Sequence, residues 1–118
     1  SDLIAPGQNF QGEIMTTTVT VMYPNTPGSK FDMGYYLDTH IPLVNKLWGD
    51  KLISVRAVKG IATPDPATPA PYQVMAILEM ESPDVLQQLI ADHGQEVMGD
   101  IPNFTDVSPA VQISENIG

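Results

Sequence analysis

The chain has 118 residues, 42% of them hydrophobic and 16% charged, which suits one globular domain and not a disordered segment. Fourteen acidic residues against five basic ones leave a formal net charge of −9, a field that repels nucleic-acid phosphates and anionic membrane surfaces alike. No cysteine is present, so disulfides, thiolate chemistry and Cys-based metal sites are excluded, and no apolar run approaches the roughly 20 residues of a membrane span.

Residues 1–14 are polar, carry Pro6, Gly7 and Gly12, and show no sustained period. They read as an expression leader or a disordered arm ahead of a domain spanning residues 15–118. No basic stretch followed by an apolar one marks a secretory signal, and a cytoplasmic location is expected.

Residues 16–23 alternate: Val19, Val21 and Tyr23 point one way, Thr18, Thr20 and Met22 the other, which predicts a strand. Pro24-Asn25-Thr26-Pro27-Gly28 ends it. Asp32 stands where a helix N-cap belongs. Met33, Tyr36, Leu37, His40, Ile41, Val44, Leu47 and Trp48 then recur at helical spacing. Pro42 lacks a backbone donor, so a kink or restart is expected there, with a second short helix to Trp48 and Gly49 as its C-terminal cap. Residues 51–61 predict a second strand. The proline-rich residues 63–71 cannot continue a ladder. Residues 72–80 predict a third strand. Ser82 is expected to cap a second helix running through Asp92, with Val85, Leu86, Leu89, Ile90 and His93 inward, Gly94 loosening it and one more turn over residues 95–98. Residues 106–114 predict a fourth strand.

The order is β-α-β-β-α-β, an α+β, ferredoxin-like arrangement. Right-handed crossovers place both helices on one face of a four-stranded antiparallel sheet. The third strand is apolar on both sides in its middle: Tyr72, Val74, Ala76, Leu78 and Met80 form one row, Met75 and Ile77 the other. Met22 and Val58 extend the second row. An apolar patch on the uncovered face predicts a homodimer with its sheets packed face to face.

Two histidines occur, His40 and His93, both on or near the inward stripes of their helices. Histidine is the side chain best matched to proton transfer near neutral pH, although each also suits a structural role, His93 beside Gly94 above all. Tyr36 lies one turn before His40 and is placed to orient the imidazole or a substrate. Trp48, Tyr23, Tyr72 and Phe104 are candidates for an aromatic pocket or for plain core packing. No H-x-H or H-E-x-x-H spacing is present, nor any phosphate-cradling, dinucleotide or nucleophile-elbow motif, so no metal or cofactor is expected.

The stretches Val19-Thr20-Val21-Met22-Tyr23-Pro24-Asn25 and Phe31-Asp32-Met33-Gly34-Tyr35-Tyr36-Leu37-Asp38-Thr39-His40-Ile41-Pro42-Leu43-Val44 resemble the opening of EthD-family proteins. The run from Met98 through Asp100-Ile101-Pro102-Asn103-Phe104-Thr105 to Asp106, with Val111-Gln112-Ile113-Ser114, resembles their C-terminal end. The resemblance implies a dimeric α+β barrel and a small-molecule pocket between sheet and helices, without a cofactor. His40 matches the family's H-x-P feature and is the implied catalytic residue, with Tyr36 beside it. Trp48, His93, Tyr23 and Phe104 are the expected substrate-binding residues. Asp100 is expected to serve as a cap or turn residue. The expected function is an enzyme of the oxidoreductase, isomerase or cyclase type acting on a small aromatic, polyketide-like or ether-derived compound. The alternative is a non-catalytic binding protein serving a partner oxygenase.

Overall fold

The computed structural model describes residues 15–118. The leader or arm assigned to residues 1–14 lies outside the described residues. Four strands form one antiparallel sheet: β1 (Thr17–Pro24), β2 (Ser54–Lys59), β3 (Tyr72–Met80) and β4 (Ala110–Glu115), in the order β2-β3-β1-β4. Between β1 and β2 lie α1 (Met33–Tyr35), a π turn (Tyr36–His40) and α2 (Ile41–Trp48); α3 (Pro83–Gly99) joins β3 to β4. This is the expected α+β, ferredoxin-like arrangement, with its helices against one face of the sheet. No helix among the described residues is long and apolar enough to cross a membrane.

The alternation in β1 and β3 positions the core. Val19 and Tyr23 pair with Leu78 and Val74 across the central ladder, and all four are buried on the helix side. Val44 and Trp48 from α2 and Leu86, Leu89 and Val97 from α3 close over Val19 and Leu78, while Tyr23 and Val74 pack with Tyr36 and Phe104. Each fully buried aliphatic side chain of this kind contributes about 1.5–3 kcal/mol through removal from water. The far end of β2 is held close to β3: Gly60 donates its N–H to the carbonyl of Gln73, and a Cβ there would collide with the Tyr72 carbonyl oxygen.

On the opposite face the register aligns Val58, Met75, Met22 and Ala110 in one row across all four strands. The next row, Arg56, Ile77, Thr20 and Gln112, is mixed, and Ser54, Glu79, Thr18 and Ser114 beyond it are polar. The face is therefore apolar at one end and wet at the other.

Several boundaries differ from expectation. Pro42 does not start the break. The helix loosens one turn earlier, where the Ile41 N–H reaches back to the Tyr36 carbonyl, and Pro42 then occupies the first turn of α2, where a missing N–H is harmless. Gly49 is the C-terminal cap of α2 as expected, but it keeps a right-handed φ of −57° and opens a 3-10 turn, Gly49–Lys51, so β2 starts later than residue 51. Ser82 is extended, as an N-cap should be, but its hydroxyl makes no capping hydrogen bond; its carbonyl accepts the Val85 N–H instead. The break in α3 falls on His93 itself (φ −141°, ψ 15°), after which the helix resumes to Gly99. β4 begins at Ala110, because residues 106–109 are taken up by the turn that leads into it.

Candidate functional site

Two distant segments meet at the mouth of the helical layer. The Asp32 carboxylate accepts the Tyr35 N–H at 3.0 Å and caps α1, while the Asp32 backbone N–H donates to the Phe104 carbonyl at 2.7 Å. Phe31 bridges to Thr105, and the Thr105 hydroxyl donates to the Lys30 carbonyl at 2.7 Å. The start of the first helical unit is thereby fixed to the turn that follows α3. That clamp brings the side chains of residues 35–40 against those of residues 100–104.

The polar centre is Asp100. Its Oδ1 accepts the Tyr35 hydroxyl at 2.6 Å and the Asn103 Nδ2 at 3.0 Å, and its Oδ2 faces the His40 Nδ1 at 2.9 Å. Only 12% of the Asp100 side chain and 6% of the His40 side chain are exposed. Burial pushes the Asp100 carboxyl up, but the hydrogen bonds from Tyr35, Asn103 and His40 and the imidazole charge outweigh it and hold the carboxyl below its usual range. An ionised carboxylate only accepts, so the His40 Nδ1 carries the proton and donates to it. In the neutral ring this leaves the Nε2 lone pair free, with no partner among the described residues. Asp100 therefore does more than shape a turn: it fixes the tautomer and orientation of His40.

The aromatic surroundings hold the imidazole from two sides. The Tyr36 ring stacks on it at 5.6 Å with 20° between planes, and the Phe104 ring lies 4.6 Å away, tilted by 51°. Tyr36 touches the imidazole through its ring and not through its hydroxyl. Burial pushes the Tyr36 hydroxyl up to about 12, and burial together with the neighbouring Tyr36 raises Tyr23 as well. Both phenols are neutral at physiological pH.

Beside this cluster a cavity of about 110 Å³ lies between helices and sheet. Tyr23, Tyr36, His40 and Trp48 line it, with Val21 and Leu78 from the sheet floor. Of its other walls, Met98, Ile90 and Val111 are about half exposed, so the cavity reaches solvent between α3 and β4. No lysine or arginine lines it. Two buried polar atoms on its wall residues, the Tyr36 Oη and the Trp48 Nε1, have no hydrogen-bond partner among the described residues.

The structure thus gathers His40, Tyr36, Trp48 and Tyr23 around one cavity. Phe104 packs behind His40 without lining the cavity. His93 lies apart from it: its side chain is 39% exposed and its Nδ1 meets Glu96 Oε1 at 3.1 Å. Tyr35 and Asp100 were not anticipated as site residues. Among the described residues no three His, Asp or Glu side chains cluster as a metal would require.

The fold is shared with known proteins. An EthD-like protein from Ralstonia eutropha JMP134 is 35% identical, with 84% of this chain and 89% of that one covered and a TM-score of 0.79. An ethyl tert-butyl ether D (EthD) family protein from Bacillus halodurans C-125 is 19% identical over 88% of this chain and 100% of that one, with a TM-score of 0.68. A Dabb-family protein with a ferredoxin-like fold from Mesorhizobium loti MAFF303099 shares the architecture at 8% identity, 88% and 96% coverage and a TM-score of 0.50. No curated protein matches the chain. The EthD domain model matches residues 29–108, a span that contains both halves of the His40–Asp100 pair and most of the chain, and this protein belongs to the EthD family.

Proposed function

We propose that this protein is an enzyme that works on a small organic molecule with its own side chains, and that His40 is its proton-transfer group. The observation that carries this reading is the His40 imidazole, oriented by Asp100 through Nδ1 and bare at Nε2, in the wall of an apolar cavity. A base held by a carboxylate and placed beside a dry space suits reactions that take a proton from carbon or oxygen: isomerisation, cyclisation, decarboxylation or a cofactor-free oxygenation. Tyr36 shapes the cavity against His40, Trp48 and Tyr23 supply apolar walls, and Phe104 steadies the imidazole from behind. His93 has no part in this reading.

The test is a pair of NMR titrations of the histidine rings with small aromatic and ether ligands. The His40 resonances are expected to shift with saturating ligand while those of His93 stay still, and His40→Ala should remove turnover of any ligand found to react, a loss of roughly 10²–10⁴-fold for a general base. Ligands that leave His40 unmoved would sink the reading. The nearly all-apolar wall supports a second one, a carrier that delivers a hydrophobic molecule to a partner oxygenase. In that case ligands shift His40 and are released unchanged.

We also infer a homodimer through the open sheet face. Support comes from the row Val58–Met75–Met22–Ala110, which runs unbroken across the sheet and is not covered by a helix among the described residues. A charge at its centre would be buried unpaired at a cost of about 3–5 kcal/mol. Met75→Glu is therefore expected to raise the dimer dissociation constant by roughly 10²–10⁴-fold in sedimentation equilibrium. A wild-type protein that is monomeric at every concentration would refute the dimer.

A further inference from the structure

The cavity wall is chemically almost uniform. Apart from His40 its side chains are aliphatic, aromatic or thioether. The Tyr36 Oη and the Trp48 Nε1 are sealed under the packing, and Tyr23 as a whole is 1% exposed, so none of the three presents a polar group to a ligand. His40 differs. Its Nε2 also has no partner among the described residues, yet it is not one of the sealed atoms. Its Nδ1 is turned to Asp100, which stands outside the cavity wall, so the opposite edge of the ring, the one that carries Nε2, is toward the cavity.

The direction of that single polar contact is fixed. With the ring proton on Nδ1, the Nε2 of a neutral imidazole can only accept. A ligand that offers an O–H or N–H there makes one hydrogen bond. A ligand whose polar atoms only accept, such as an ether or an ester, gives up its water and meets no donor on the wall. Charge fares worse. No lysine or arginine lines the cavity to meet an anion, and an ammonium brings more N–H groups than there are acceptors. Size sets the last limit. A cavity of about 110 Å³ falls below the roughly 150 Å³ apolar cavity that takes benzene, so the enclosed part of the ligand is about one small ring.

We propose that the His40 Nε2 makes this cavity donor-selective: it takes small uncharged molecules that are apolar but for one O–H or N–H group, of the phenol, enol or heteroaromatic N–H class, and rejects cations and acceptor-only molecules of the same shape, ethers included. The proposal rests on the reading of the cavity as a ligand site. It adds which ligands the site takes and which atom chooses them.

Four five-membered rings test it: pyrrole carries only a donor, furan only an acceptor, thiophene neither of any strength, and pyrrolidinium a charge. Trp48 is the chain's single tryptophan and lines the cavity, so its fluorescence reports occupancy. Affinities are measured in the wild type and in His40→Phe, which keeps a ring between those of Tyr36 and Phe104, at a pH where the wild-type ring ¹⁵N shifts show a neutral imidazole. The ratios of pyrrole to furan and of pyrrole to thiophene affinity should each be roughly three- to tenfold higher in the wild type than in the variant, the worth of one hydrogen bond. Pyrrolidinium should bind at least about tenfold more weakly than pyrrole. A second readout needs the wild type alone. Saturating pyrrole should draw the His40 Nε2 ¹⁵N resonance upfield of its position with saturating furan, because Nε2 accepts from the one and not from the other.

Affinity ratios that His40→Phe leaves unchanged would overturn the proposal and leave a cavity that binds by shape. A wild-type Nε2 resonance at one position with both pyrrole and furan would overturn it as well, and that result stands even if the variant fails to fold. Pyrrolidinium that binds as tightly as pyrrole would overturn it too. Failure of all four probes to bind would instead remove the ligand site on which the proposal stands.

Discussion

Asp100→Ala is expected to destabilise the protein by about 3 kcal/mol at neutral pH, because three donors lose one charged acceptor and hydrogen bonds to charged groups contribute about 1.5–3 kcal/mol each, without full additivity. Tyr35, His40 and Asn103 are those donors. Asp100→Asn keeps a carbonyl and should cost less, about 1–2 kcal/mol. The pH dependence has a definite sign. The folded-state pKa of Asp100 lies below its unfolded value, so its contribution is complete above the unfolded value of about 3.9 and is lost as the pH falls through the folded one. Urea unfolding curves of wild type and Asp100→Asn should therefore differ at pH 7 and converge in strong acid. A gap that stays constant with pH would show that the charge of Asp100 does nothing for the fold. The same variant reports on the site. An asparagine amide can donate to the His40 Nδ1, which would move the ring proton to Nε2 and deprive the cavity of its base. Ring ¹⁵N shifts distinguish the two tautomers, and a variant that keeps the wild-type pattern would show that Asp100 does not set it.

Much of the fold was legible because it depends on local period. The strict alternation of Val74, Ala76, Leu78 and Met80 against Met75 and Ile77 defines β3 and both of its faces, and the structure buries the first row as the pattern requires. The helix over His40 and Trp48 follows from its apolar spacing in the same way. Capping and breaking were less legible, because they turn on single hydrogen bonds: the proline at position 42 signals a disturbance, but only the reach of Ile41 N–H to the Tyr36 carbonyl places it a turn earlier. The site was legible as a set of residue types and not as a geometry. His40 and Asp100 are 60 positions apart, and no local period relates them. Their one shared trace in the sequence is that each sits in a family block, Tyr-Tyr-Leu-Asp-Thr-His-Ile-Pro and Asp-Ile-Pro-Asn-Phe-Thr, and it was the packing of one block on the other that made Asp100 a partner of His40. His93 shows the converse error of relying on period. Its place on the inward stripe holds only for an unbroken helix, and the backbone departs from helical geometry at that residue, turning it toward Glu96 and solvent.

Phe104 is where fold and site should be lost together. Its ring is 3% exposed and stands within 5.7 Å of the rings of Tyr23, Phe31, Tyr36 and His40. Truncation of a buried phenylalanine to alanine costs about 3–5 kcal/mol, and loss of edge-to-face partners worth about 0.5–1.5 kcal/mol each argues for the upper part of that range. Against a total stability of about 5–15 kcal/mol, that is a large share for one side chain. Leu89→Ala is the informative comparison. Leu89 is equally buried but belongs to the helix–sheet core, away from His40, and its truncation should cost about 2–5 kcal/mol. The two variants should thus lose comparable stability in urea unfolding. They should differ in the His40 ring resonances, which lose their fixed environment when Phe104 is removed and keep it when Leu89 is. If Phe104→Ala cost no more than about 1 kcal/mol, the aromatic cluster would not be a unit of the core. If it left the His40 resonances in place, Asp100 and the stacked Tyr36 ring would be enough to hold the imidazole, and the ring behind it would serve the fold and not the site.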